Sequence, residues 1–91
     1  MITLNFMVGG AMRKVVIKGR KVSFLTAELN FVPMSIDLDK LDQEKEKIKK
    51  MKIDEEQIKE LALLKTERQI ADDITKDWKK TGWRLVYNGA N

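Results

Sequence analysis

The chain has 91 residues, 18 of them Lys or Arg and 14 Asp or Glu, for a formal net charge of +4, and it contains no Cys and no His. That composition excludes disulfides, thiol nucleophiles and the usual zinc, haem and iron–sulfur ligands, and it removes the side chain most used as a general base near neutral pH. An apolar fraction of 43% beside 35% charged residues belongs to a folded chain, with length for one small domain, residues 1–91, and a modest core.

No apolar run approaches the roughly 18 residues needed to span a bilayer. No basic segment precedes the apolar start, as a signal peptide requires. The expectation is a cytoplasmic protein with no membrane association, and the lack of Cys fits that compartment. Met12, followed by Arg13 and Lys14, is a second candidate start. The charge is uneven: residues 1–30 carry five basic and one acidic group, residues 31–60 seven and nine, and residues 61–91 six and four. The basic surplus therefore lies at the two ends.

Ile2, Leu4, Phe6 and Val8 alternate with Thr3, Asn5 and Met7, the period of a half-buried strand. Gly9-Gly10 is a turn signal. Arg13 to Ile17 reads as a second strand, Lys18-Gly19-Arg20 as a tight turn, and Lys21 to Leu29 as a third strand. This three-stranded antiparallel meander, residues 1–32, ends where Pro33 cannot donate to a ladder and holds Val32 extended.

A helical region over 35–82 follows. Ser35 or Asp37 caps a first helix, with Asp37, Asp39 and Asp42 in its first turns, a thin apolar stripe of Leu38, Leu41, Ile48 and Met51, and Lys crowding its end. Asp54 starts a second helix: its carboxylate is placed to accept from the backbone of Gln57, Gln57 to reach back, and Ile53 and Ile58 to staple the entry. From Glu55 to about Thr81 the apolar residues keep helical spacing, and unbroken this helix would be roughly 40 Å long. The unbroken reading follows from Lys65 and Glu67, strong helix formers with no Gly or Pro between. A break is available at Thr66-Glu67-Arg68-Gln69, a second capping-box pattern. Gly82 closes the helix, and Trp83 to Tyr87 is a short final strand, with Trp83, Leu85 and Tyr87 on one face, that rejoins the sheet. Residues 88–91 read as a frayed tail. The fold class is α+β, with helices segregated to one face.

Thr66 to Ile74, TERQIADDI, resembles the second helix of helix-turn-helix domains, where a capping Thr precedes Gln-Ile-Ala and a further apolar residue. The resemblance covers nine residues. It stops at Thr75, where the pattern has the turn Gly, and Thr81, Gly82 and Arg84 fall where a recognition helix buries apolar side chains. An ordinary amphipathic helix accounts for the same residues.

The leading functional expectation is a non-catalytic binding module that self-associates and contacts nucleic acid. Arg13, Lys14, Lys18, Arg20 and Lys21 lie on or beside one hairpin and would neutralise phosphates, with Lys79, Lys80 and Arg84 as a second patch. The same charges also suit strand edges, which carry Lys against edge-to-edge pairing, and helix ends. The alternative is a protein-interaction or structural subunit. Its adhesive surface would be the helix face of Ile58, Leu61, Leu64, Ile74 and Trp78, more apolar than a short meander can cover, or an open strand edge. No metal site and no cofactor is expected. Asp37, Asp39, Asp42 and Glu44 lack the Gly and Glu that an EF-hand loop needs, and Gly9-Gly10 lacks the spacing and Lys of a P-loop. Asp77-Trp78-Lys79 has the carboxylate–x–Lys spacing of some metal-dependent nucleases, but on a helix end. No nucleophile–base set is visible, so an enzyme is not expected.

Overall fold

Apolar alternation and glycine turns set the sheet. The computed structural model describes residues 1–27 and 30–90, the last three by their backbone. Strands β1 (Ile2–Val8), β2 (Ala11–Lys18), β3 (Lys21–Thr26) and β4 (Met34–Asp37) form an antiparallel meander. Strand β5 (Arg84–Ala90) returns to pair antiparallel with β1, giving the order β4-β3-β2-β1-β5. The fold is α+β, as the sequence predicts, with one strand more than expected. The segment read as the start of a helix, Met34 to Asp37, is the edge strand β4, and Asp37 caps a 3₁₀ segment, Leu38–Gln43, by accepting from the N–H of Asp39. The third strand, expected to reach Leu29, ends at Thr26 with Ala27 already outside it, and Glu28 and Leu29 lie outside the described residues. Residues 88–90, expected to fray, pair with β1, and Asn91 lies outside the described residues.

The helices α1 (Lys45–Lys50), α2 (Glu55–Ala62) and α3 (Glu67–Asp77) cover one face of the sheet. Leu4 and Phe6 of β1, Val15 and Ile17 of β2, Val22 and Phe24 of β3 and Ile36 of β4 meet Ile48, Ile58, Leu61, Ile70, Ile74 and Trp78 in one contiguous core. Its centre is aromatic. Trp78 stacks on Phe24 with centroids 6.0 Å apart and meets Trp83 edge-on at 4.9 Å, while Trp83 meets Phe6 edge-on at 5.5 Å. Such pairs add roughly 0.5–1.5 kcal/mol each beyond area burial.

The long second helix does not form. It breaks between Ala62 and Glu67 because side chains satisfy both ends of the gap. The Gln69 side-chain oxygen accepts from the backbone N–H groups of Lys65 and Thr66 at 2.9 and 3.2 Å, and the Thr66 hydroxyl accepts from the Gln69 N–H at 3.1 Å. This is a full capping box. At the other end Arg20 donates to the carbonyl oxygens of Ala62, at 2.8 Å, and Leu64. Local propensity favoured continuity, and capping with a long-range arginine overrides it.

At the start of α2, Asp54 accepts from the N–H of Glu56 at 2.9 Å rather than from Gln57, whose side chain instead accepts from the Thr81 hydroxyl at 3.2 Å. Ile53 and Ile58 are both buried, as the staple requires. No recognition helix follows α3. Trp78–Thr81 is a 3₁₀ turn closed by Gly82 at φ 90°, and the chain enters β5. The likeness to a helix-turn-helix stops at one amphipathic helix.

Candidate functional site

Strand parity sorts the basic residues of the hairpin. Arg13 shares the parity of Val15 and Ile17 and turns into the core, 7% exposed. It donates to the Met51 carbonyl at 3.2 Å, and its guanidinium carbon lies 5.1 Å from the centre of the Trp83 ring. Arg20, at the β2–β3 turn, is taken up by the end of α2 and by Asp39, whose carboxylate accepts at 3.1 Å. The neighbouring Gly19 N–H donates to Glu67 at 2.6 Å, and that bond is the main reason the Glu67 carboxyl titrates below its usual range. The turn thus docks the meander onto the α2–α3 corner. Arg13 and Arg20, expected to meet phosphate, serve the fold.

Lys14, Lys18 and Lys21 take the opposite parity and point away from the helices. The register places Lys18 directly across from Lys21, and Lys21 across from Asp37. Lys14 lies across from Leu25 on one side and Asn5 on the other, and Asn5 across from Tyr87. A bulge at Val86 turns Tyr87 onto this face, whereas Leu85, paired with Phe6, stays on the core side. The simple alternation expected for Trp83, Leu85 and Tyr87 therefore breaks. Arg84 joins the open face opposite Met7, which pairs with Met12. The result is a surface about 20 Å long from Met12 to Lys18 at the rise of a strand. It carries Lys14, Lys18, Lys21 and Arg84 against Asp37, with Met7, Val16, Leu25 and the 64%-exposed Tyr87 between them.

Charge is segregated in the same way. Residues 38–81 hold 12 basic and 12 acidic groups, so the whole net charge of +4 falls in the remaining segments, with six basic and two acidic groups. Lys18 and Lys21 are like charges held as direct cross-strand neighbours, and their repulsion is offset in part by Asp37, across from Lys21, and by Glu67, which the Lys18 charge helps hold ionised.

Beyond the Met7–Arg84 pair the open face runs into a cleft of about 620 Å³ beside the Gly9-Gly10 turn, walled by Lys79, Gly82, Trp83 and Arg84. Both turn glycines have positive φ, 59° and 83°, which favours Gly there. Lys79 and Arg84 thus share one cleft, while Lys80 belongs to the helical side, where its charge acts on Asp73. Tyr87 and the glycine cleft were not singled out in the sequence. The alternation of β1 is the signal that could have marked the Asn5 row.

The helical side carries a separate cluster. Carboxylate oxygens of Glu60, Asp73 and Asp77 lie within 4.8 Å of one another. Burial, hydrogen bonding of the protonated form to Asp77, and the charges of Asp77 and Glu60 push Asp73 up to about 6.

The helix face expected to be adhesive is not available. Ile58, Leu61, Ile74 and Trp78 are fully buried in the protein's own core and Leu64 is half-buried against it. Five strands cover what the expected four could not. The sheet has two edges: at β4, Lys47 donates to the Ser35 carbonyl and Glu44 accepts from the Asp37 N–H, and at β5 Val86 and Tyr87 stand out. Among the described residues no helix is long and apolar enough to cross a membrane. The chain matches no known protein family, no curated protein and no solved structure at a significant level.

Proposed function

We propose that this protein is a small binding module that lays a single-stranded nucleic acid across the open face of its sheet. The observation that carries this reading is the charge of the open face: Lys14, Lys18, Lys21 and Arg84 meet one acid among the described residues, Asp37, while Arg13 and Arg20 turn to the helical side. Phosphates set between Lys18 and Lys21 would relieve their repulsion. Tyr87, in the Lys14 row, offers a ring for a base to stack on, and Met7, Val16 and Leu25 give apolar contact without sequence preference. Such a face positions a strand through its backbone and reads little sequence.

Fluorescence anisotropy with a labelled oligonucleotide at several salt concentrations tests this. Neutralising four phosphates predicts a log–log slope of roughly −3 for a single strand. Lys18→Gln with Lys21→Gln removes two of the four cations and should weaken binding and roughly halve that slope. Absence of binding at low salt would refute the reading.

A second reading rests on the β5 edge. Val86 and Tyr87 are 56% and 64% exposed on a strand whose outer side has no neighbour in the sheet, so a strand from a second copy or another protein could add there. Sedimentation of the wild type against Val86→Lys separates the two: an assembly lost in the variant favours the edge, and a monomer in both favours the face.

A further inference from the structure

We infer that the cleft at the Gly9-Gly10 turn is an end-recognition pocket that takes the terminal phosphate monoester of the bound strand. This inference rests on the sheet-face reading. The cleft opens directly from that face, because Arg84 and its cross-strand partner Met7 belong to both. Its volume of about 620 Å³ lies in the range of small-ligand pockets, which run from about 300 to 1,000 Å³. The wall has two cations, Lys79 and Arg84, and no acid. Trp83, which also lines the cleft, has the Arg13 guanidinium 5.1 Å from its ring centre.

Three features favour a terminal over an internal phosphate. The cleft lies where β1 ends and β2 begins, so a strand running along the face from Lys18 and Lys21 reaches it last. A terminal phosphate monoester carries about −1.5 to −2 charge at neutral pH against −1 for a backbone diester, which matches a pair of cations. The turn presents Gly9 and Gly10 with no side chain to bar entry, and the half-buried Met7 gives an apolar contact for the last base.

The test uses oligo-dT of about ten nucleotides, within the usual footprint of a single-strand binding fold. One pair of probes bears a 5′-phosphate or 5′-hydroxyl, and a second pair a 3′-phosphate or 3′-hydroxyl, each with the dye at the far end. One terminal phosphate, and not the other, should tighten binding roughly three- to fivefold, as a contact with two exposed cations does. Which end responds gives the polarity of the strand on the sheet. Lys79 lies off the sheet face and is exposed, so Lys79→Met should erase the preference and leave the hydroxyl-ended probe bound as before. Equal binding of all four probes overturns the pocket and leaves the sheet face standing. A preference that survives Lys79→Met also overturns it. Failure of every probe to bind overturns the sheet-face reading and this inference together.

Discussion

Replacing Arg20 by Ala removes the fastening between the meander and the helical layer. The guanidinium donates to the Ala62 carbonyl at 2.8 Å, to the Leu64 carbonyl and to Asp39 at 3.1 Å. The two carbonyls end a helix, where a cation also meets the negative end of the dipole. Each charge-assisted bond in a partly buried setting is worth about 1.5–3 kcal/mol, reduced where the freed carbonyl can reach water. The Asp39 pair is exposed and adds at most about 1 kcal/mol. The loss should come to about 2–4 kcal/mol, a large share of the 5–15 kcal/mol typical of a domain. Trp78 and Trp83 report unfolding directly, so urea titration followed by tryptophan fluorescence measures the loss as a lower midpoint with unchanged slope. Arg20→Lys keeps the charge and loses the fork, and should recover less than half. A variant Arg20→Ala within about 0.5 kcal/mol of the wild type would refute the fastening, since a surface change without such contacts costs no more than that.

Asp73 should make stability fall as pH rises. Its carboxyl holds a proton up to about pH 6 when folded, against 3.8 ordinarily, so the native state binds the proton more tightly between those values, and the folded state is disfavoured above them. After solvent screening the effect is on the order of 1 kcal/mol. Asp73→Asn should raise the melting temperature at pH 7–8 and flatten its decline between pH 4 and pH 6, as read by calorimetry across pH. Lys52 closes α1 at φ 56°, with Ile53 N–H bonded back to the Ile48 carbonyl, so Lys52→Gly should stabilise by about 0.5–1 kcal/mol in the same urea assay. Deleting residues 1–11 removes β1 from between β2 and β5 together with the fully buried Leu4 and Phe6, and circular dichroism of that variant should show no cooperative melt.

The hairpins were legible because apolar alternation and Gly9-Gly10 and Gly19 mark strand and turn without ambiguity. Strand β4 was not, since four residues beside a run of aspartates look like a helix cap, and the cap is real but one element later. That miss carried over: with β4 and the full length of β5 uncounted, the helix face of Ile58, Leu61, Ile74 and Trp78 had too little sheet to cover it, and a partner was invoked. The break at Thr66 was written in the sequence as a capping box, but the side chain that settles it, Arg20, lies 42 residues from Ala62. Grouping Arg13 with Lys14 by charge ignored parity. Arg13 falls on the side of Val15 and Ile17, and two-residue periodicity alone turns it inward. Tyr87 faces the open side only because of the bulge at Val86, which no local pattern announced.

The most direct test of the sheet-face account is to map backbone amide shifts while titrating oligo-dT into the labelled protein at low salt. The account predicts that the largest shifts fall on Thr3, Asn5, Lys14, Val16, Ser23 and Tyr87, the rows of the open face. Shifts confined to α1, α2 and α3, or to no residue at all, would contradict it.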